Sequence, residues 1–294
     1  MSEREVDPVT GSLTTGHDWN GIKELDTPVP RAVLWFIFIT HLWALGYWLL
    51  MPTWPLITTY TKGLLGVDQK TSVEQQIEER QANRAPWVDR VASLSYPEVQ
   101  ADEQLMANVM ATGHQLFGDN CSVCHGRDGA GNAGYPDLTD DDWLWGDGSP
   151  EAIAETLRVG VNSRNEETRM SQMPAFGRDQ MLTSAEVRQA AAYVYSLSHP
   201  EYSTTENLTR IEAGAEVYAA NCAACHGDSA LGDADAGAPN LADDRWIYGG
   251  DLDTIIASVH GGRQGHMPTW DERLSPSEIR MLALYVYSLG VATP

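Results

Sequence analysis

Four cysteines are the residues of this sequence whose spacing points most directly to chemistry. They form two Cys-x-x-Cys pairs, and a histidine follows each pair: CSVCH at 121–125 and CAACH at 222–226. Two thiols three positions apart can each add to one vinyl group of the same porphyrin, and the next residue can then bind its iron. The pattern predicts two covalently bound c-type haems. The predicted attachment residues are Cys121, Cys124, Cys222 and Cys225, and the predicted proximal iron ligands are His125 and His226.

Each cysteine pair also has other interpretations. One pair alone could be half of a zinc site or a redox dithiol, and all four cysteines could form one tetrahedral zinc site. A thioredoxin-like dithiol needs a βαβ context, which the sequence does not indicate. The trailing histidine of both pairs favours haem over these alternatives.

A Met-Pro dipeptide downstream of each pair predicts the second axial ligand. A thioether is a soft donor that raises the potential of haem iron, as an electron carrier requires. The predicted distal ligands are Met173 and Met267, with Met170 and His266 as their neighbouring rivals. The sequence leaves open whether each methionine serves the haem of its own repeat or that of the other repeat.

These motifs lie in an internal repeat with an offset of about 101 residues. NCSVCHG at 120–126 matches NCAACHG at 221–227, WGDGSPEAI at 145–153 resembles YGGDLDTI at 248–255, and YVYSL at 193–197 recurs at 285–289. Apolar spacing and capping residues predict helices near 102–117, 151–159, 208–218 and 252–259, and a last helix in each repeat after Thr183 and Ser275. We predict a mainly α fold with two tandem haem-binding domains, at 101–200 and 201–294, which resemble class I cytochrome c domains in their C-x-x-C-H and Met-Pro motifs. One tyrosine of each YVYSL segment is expected to pack on the first helix or on the haem edge.

An apolar segment near the start predicts one membrane anchor. Residues 32–51 form a run of 20 without a charged side chain, which as a helix spans about 30 Å, the thickness of a bilayer core. About thirty residues precede the run and no small-residue cleavage site follows it, which disfavours a cleaved signal peptide. We predict an N-terminal segment at 1–31, an anchor at 32–52 and a linker at 53–100, with a short helix at 71–84. His41, in mid-membrane, is expected to find a polar partner on a neighbouring helix.

The net charge of −22, from 19 basic and 41 acidic side chains, argues against binding to nucleic acid. An acidic surface would attract a basic donor protein at low ionic strength, or it would suit a saline habitat. The sequence does not separate these two explanations.

The chain resembles the dihaem subunit of cbb3-type cytochrome c oxidase. The resemblance rests on WNGIKELDTPVPR at 19–31, on the single anchor with ALGYWLL at 44–50, and on the two C-x-x-C-H and Met-Pro sets. It implies a subunit that takes electrons from a donor cytochrome c and passes them to a monohaem cytochrome c subunit. A haem-copper catalytic subunit then reduces oxygen and pumps protons. The chain itself would transfer electrons without acting on a substrate.

Haem attachment takes place outside the bacterial cytoplasmic membrane. We therefore expect a single-pass protein anchored in the lipid of the inner membrane, with a cytoplasmic N-terminus and periplasmic haem domains. The main alternative is a membrane-bound dihaem carrier for another complex, such as a dehydrogenase or a nitrogen-oxide reductase. A haem-based ligand sensor or an assembly subunit is a third possibility.

Overall fold

The structure is a computed structural model that describes residues 4–291. The chain divides into two compact units, residues 1–83 and residues 84–294. The first unit contains the apolar segment, and the second contains both C-x-x-C-H motifs.

The first unit begins with a two-stranded antiparallel hairpin that the sequence analysis did not predict. Strand β1 (Thr14–Trp19) pairs with β2 (Ile22–Leu25), and a two-residue Asn-Gly turn joins them. Both turn residues have positive φ, which is the conformation that a tight hairpin turn requires. Three residues of β1 contact Glu24 of β2: Thr15, His17 and Trp19.

Helix α1 (Arg31–Leu50) is long and apolar enough to cross a membrane. Its 20 residues match the predicted anchor at 32–52 to within two positions at each end. The helix ends because Met51 takes an extended conformation before Pro52, as the residue before a proline usually does. Among the described residues, α1 is the one helix that meets the length and hydropathy required for a membrane span.

The predicted short helix of the linker is longer than expected. Helix α2 (Gln69–Ser93) has 25 residues and continues through Pro86, and the short helix α3 (Tyr96–Ala101) follows it behind a capping box at Ser95. Val91, Tyr96 and Val99 are buried. The last part of the predicted linker is therefore packed into the second unit.

Two sets of helices in the second unit reproduce the sequence repeat. They confirm the predicted helices, and the capping boxes at Thr183 and Ser275 form as expected. A 3₁₀ turn (Pro200–Tyr202) separates the sets. The first set is α4 (Glu103–Asn120), α5 (Ser122–His125), α6 (Pro150–Val159) and α7 (Ser184–Ser198). The second set is α8 (Leu208–Asn221), α9 (Ala223–His226), α10 (Leu252–Gly261) and α11 (Pro276–Val291).

The last helices of the two repeats are exchanged between two hydrophobic cores. Helix α11 packs on α4 and α6 of the first repeat, whereas α7 packs on α8 and α10 of the second. The first core takes its buried residues from 91–157 and 270–286, and the second takes them from 176–259. The predicted domain boundary between residues 200 and 201 separates the two sequence repeats, and it stays a prediction. Each hydrophobic core contains helices from both sides of that boundary.

The tyrosines of the YVYSL segments show the same exchange. Tyr285 of α11 lies 5.5 Å from Phe117 of α4, and Tyr193 of α7 lies 5.2 Å from Tyr218 of α8, measured between ring centroids. Each of these tyrosines packs on a first helix, as predicted, but on the first helix of the other repeat.

Gly113 permits the close crossing of α4 and α11. A Cβ atom at this position would lie 2.5 Å from Cβ of Tyr285 and 3.2 Å from the carbonyl oxygen of Met281. Gly118, one turn and a half further along α4, has nothing within 4 Å of the same added atom. The two glycines of one helix therefore differ in whether a side chain can be added.

We expect Gly113→Ala to lower the free energy of unfolding by about 1–3 kcal/mol, because the added methyl overpacks the helix crossing. Gly118→Ala is the matched control, and it should be neutral or stabilising by about 0.5–1 kcal/mol through better helix propensity. Denaturant unfolding of the full chain, followed by circular dichroism, measures both changes. Equal stabilities of the two variants would contradict the crossing of α4 and α11.

Candidate haem sites

Each C-x-x-C-H motif begins at the end of a long helix and continues as a single helical turn. Cys121 ends α4, with its N–H bonded to the carbonyl of Phe117, and the N–H of His125 bonds back to the carbonyl of Cys121. The second motif repeats these bonds, with Cys222 bonded to Tyr218 and His226 bonded to Cys222. In both motifs one short turn therefore holds two thiols and one imidazole.

The two histidines are oriented through one ring nitrogen. Nδ1 of His125 lies 3.0 Å from the carbonyl oxygen of Pro136, and Nδ1 of His226 lies 3.0 Å from that of Pro239. A carbonyl only accepts, so Nδ1 carries the proton and donates, and Nε2 keeps its lone pair. Burial lowers the pKa of both imidazoles, which favours the neutral form that binds a metal. Both residues therefore fit the role of an oriented iron ligand.

The cysteines lie in two separate places. Cys121 belongs to the first core, and Cys222 packs against the second. Burial raises the pKa of each of these two thiols to about 11, so both are protonated at neutral pH when unmodified. Within residues 4–291 no group of three or more His, Cys, Asp and Glu side chains is arranged to hold a metal ion. The geometry therefore gives no support to a single four-cysteine zinc site.

The two predicted distal methionines lie in the cores of the opposite repeats. Met267 packs against the first core, which contains Cys121 and Phe117. Met173 packs against the second core, together with Cys222 and Tyr218. The geometry thus brings Met267 to the site of His125 and Met173 to the site of His226, which is the exchanged one of the two arrangements that the sequence left open.

Backbone hydrogen bonds hold the methionines in this arrangement. Met267 and Val161 each donate an N–H to the carbonyl of the other, both at 2.9 Å. Met173 and Arg263 form the equivalent pair, at 2.8 and 3.1 Å. The segment that holds each methionine therefore runs beside the segment that leaves the middle helix of the other repeat.

A glycine at the end of each middle helix allows the backbone of the methionine segment to lie directly against it. Gly160 and Gly262 both have φ of +69°, and a Cβ atom on either would collide with the backbone of Met267 or Met173, respectively. Only glycine meets both requirements, the left-handed φ and the missing side chain. The exchange is therefore built into the local backbone at both sites.

The rival ligands face solvent. Met170 is 71% exposed and His266 is also exposed, whereas Met173 and Met267 are half-buried against their cores. The structure thus separates the predicted ligands from the neighbours that the sequence could not fully exclude.

Two arginines near the sites were missed by the sequence analysis. Arg169 and Arg263 each precede a predicted axial methionine by four residues, and each side chain lies over an aromatic ring. The shared position before Met-Pro in both repeats is a signal that could have identified them.

The protein is mainly helical, and each of its two C-x-x-C-H turns supplies an oriented imidazole and lies at a core that also holds a methionine thioether. These features define a tandem c-type cytochrome. Helix α1 makes it a candidate for a membrane-anchored one. Two family models match this chain. Residues 11–58 match the N-terminal domain of cytochrome oxidase-cbb3, FixP, and residues 108–194 and 209–286 match cytochrome c oxidase, cbb3-type, subunit III.

Similar proteins carry names of the same kind. A cbb3-type cytochrome c oxidase subunit FixP of Bradyrhizobium sp. (strain ORS 278) is 46% identical, with 97% of each chain covered. A cbb3-type cytochrome c oxidase subunit CcoP of Cereibacter sphaeroides is 42% identical, with 94% of each chain covered. The chain belongs to the family of FixP and CcoP subunits of cbb3-type cytochrome c oxidase. As its cytochrome c domains imply, it is a haem c-binding, electron-relay subunit of that oxidase.

Proposed function

We propose that this chain binds two haem c groups and relays electrons through them toward the catalytic subunit of the oxidase. The two C-x-x-C-H turns carry the proposal, because each presents an imidazole whose Nε2 is free and whose Nδ1 is bonded to a proline carbonyl. Each haem would be attached through Cys121 and Cys124, or through Cys222 and Cys225. Bound haem supplies one-electron transfer between ferrous and ferric iron.

The axial ligand pairs in this proposal are His125 with Met267 and His226 with Met173. Packing of each methionine against the core of the opposite cysteine motif supports this pairing, as do the backbone pairs with Val161 and Arg263. An imidazole and a thioether would leave no coordination position for a substrate. The chain would thus set the potential and the orientation of its haems without itself acting on oxygen.

The exchange of helices also bears on electron transfer between the two sites. Each core combines helices of both repeats, so neither site can move away from the other without unpacking buried residues such as Leu282 and Val194. Close-packed interiors of this kind deform little. We infer that the distance between the two haems is fixed by the fold, which keeps the rate of transfer between them constant.

The partners that we propose are those of an electron-entry subunit. A donor cytochrome c would deliver electrons, and a monohaem cytochrome c subunit would carry them to the haem-copper subunit. Helix α1 would anchor the chain in the lipid of the bacterial inner membrane, with the N-terminus in the cytoplasm and the haem sites in the periplasm. The names of the relatives give no support to the alternative of a carrier for a dehydrogenase or a nitrogen-oxide reductase.

Purification of the tagged chain from detergent-solubilised membranes tests this function. We expect the complex to contain three c-type haems per copy of this chain, two on the chain itself and one on the monohaem subunit, and b-type haem and copper from the haem-copper subunit. Pyridine haemochrome spectra and metal analysis measure all three. A preparation with two c-type haems but neither b-type haem nor copper would contradict the assignment to an oxidase, and would favour a carrier of another complex.

A further inference from the structure

Arg169 holds the one buried side-chain polar atom without a hydrogen-bond partner among the described residues, its Nε. Its guanidinium carbon lies 5.1 Å from the centre of the Trp145 ring, and its Nη2 is 3.4 Å from the carbonyl oxygen of Ala152. A buried N–H without an acceptor is rare in native structures and calls for an explanation. The missing partner has to be an acceptor that comes close to the guanidinium.

The charge of Arg169 is also not neutralised at short range. No carboxylate among the described residues lies within 4.0 Å of its guanidinium, and Glu155 and Asp235 act on it only through space. Desolvation is the largest influence and lowers the pKa of Arg169, while the two acids raise it. A guanidinium that is partly desolvated and lacks an ion pair is suited to bind an anionic group.

Arg169 is placed at the first haem site. Ala152 precedes Ile153, which lies in the first core together with Cys121. The N–H of Arg169 bonds to the carbonyl of Gly160, next to the Val161 that pairs with Met267. The backbones of Arg169 and Met267 therefore both bond to the segment of Gly160 and Val161, which places the arginine beside the predicted axial methionine of the first site.

The second site contains a counterpart. Arg263 also precedes its Met-Pro by four residues, and its guanidinium carbon lies 4.3 Å from the ring centre of Tyr248. Trp145 and Tyr248 occupy matching positions of the repeat. Nε of Arg263 donates to Oγ of Ser258 at 3.0 Å, so it has a protein partner that Arg169 lacks. An arginine thus recurs at both sites. Of these two arginines, only that of the first site, Arg169, has an Nε without an acceptor among the described residues.

We propose that Arg169 binds a propionate carboxylate of the haem attached to Cys121 and Cys124. The proposal rests on the proposed function, because it needs haem at that site. Haem carries two such carboxylates, and the planar guanidinium binds a carboxylate through two parallel N–H donors. Arg169 is then a positioning residue. It would hold the orientation of the bound haem, and its positive charge would favour the ferrous state and raise the potential of that haem.

Arg169→Gln in the purified, detergent-solubilised complex tests this role. At pH 8, where a free carboxylate stays ionised, we expect the ratio of reduced to oxidised haem at fixed ambient potential to fall about tenfold for one c-type haem, since a charge and a charge-assisted bond are lost. That change equals about 59 mV for one electron. The affected haem should be the one that responds to substitution of Met267. The charge-matched control is Arg178→Gln, whose exposed guanidinium bonds only to Asp179, and it should leave both potentials unchanged.

Arg169→Lys is a second variant, which gives a result even if Arg169→Gln attaches too little haem for a redox titration. It retains the charge but loses the paired donors, so we expect a smaller fall of the potential and a shift of the propionate bending band in the resonance Raman spectrum. Unchanged potentials and an unchanged Raman band would overturn the proposal, as would a response confined to the haem at Cys222 and Cys225. Absence of c-type haem from the unsubstituted protein would instead refute the proposed function, so the two failures are distinguishable.

Discussion

Replacement of Met267 by alanine is expected to lower the potential of the haem in the opposite repeat, the one attached to Cys121 and Cys124. The structure places Met267 against the core that contains Cys121, and Met173 against the core beside Cys222. Loss of the thioether removes the ligand that stabilises ferrous iron, so we expect a fall on the order of 0.2 V, within the roughly 0.8 V over which axial ligands tune haem. The open coordination position should also bind carbon monoxide, which the unsubstituted protein should not bind at its c-type haems.

A chain with a single haem identifies which site responds. In a Cys222→Ala/Cys225→Ala background, Met267→Ala should shift the potential of the remaining haem, and Met173→Ala should not. Met170→Ala is the matched control, since that methionine is close in sequence but exposed. Redox titration with a carbon monoxide difference spectrum measures the effect. A response to Met173→Ala alone would show that each methionine serves its own repeat, contrary to the exchanged pairing.

Removal of the first haem should loosen a helix of the other repeat. The variant Cys121→Ala/Cys124→Ala cannot attach haem, and the site would lose a group larger than any side chain in the first core. Truncation of a single large aromatic residue in a core costs about 3–5 kcal/mol. We therefore expect a loss of at least about 5 kcal/mol, which is comparable with the whole stability of a typical domain. Because α4 and α6 pack on α11, amide hydrogen exchange should accelerate in α11 as well.

Ser122→Ala in the same turn is the control for this experiment. Its hydroxyl is exposed and bonds only to the carbonyl of Gly118, so haem content and exchange rates should stay unchanged. Hydrogen exchange with mass spectrometry of the full chain compares α11 with α7. Faster exchange in α7, with α11 still protected, would mean that the last helix of the first repeat covers the first site, and would contradict the exchange.

Local structure was predictable from the sequence wherever a local rule governed it. The C-x-x-C-H turns, the helices that precede them and the capping boxes at Thr183 and Ser275 depend on residues a few positions apart. The Asn-Gly dipeptide between β1 and β2 was an equally local signal for a hairpin, and it was overlooked. Helix α2 extends beyond its predicted end because Val91 is buried in the first core, and such tertiary burial outweighs the Pro86 that would otherwise end a helix.

The exchange of α7 and α11 could not be deduced from local patterns. Both helices carry YVYSL, and both first helices carry a glycine at the crossing, so either last helix matches either first helix in sequence. The choice depends on how the chain passes Gly160 and Gly262, which is a property of the connections and of backbone pairing over about a hundred residues. Arg169 was missed for a related reason. Its burial and unpaired Nε become visible only when Trp145 and Ala152 are placed beside it.

Intact mass and peptide mapping of the denatured, full-length chain test most directly whether this protein holds two covalent haems. We expect the polypeptide to retain two haem masses after denaturation, and proteolysis to yield one haem-bearing peptide with Cys121 and Cys124 and another with Cys222 and Cys225. Recovery of both peptides with free thiols, from cells that attach haem to other c-type cytochromes, would contradict it.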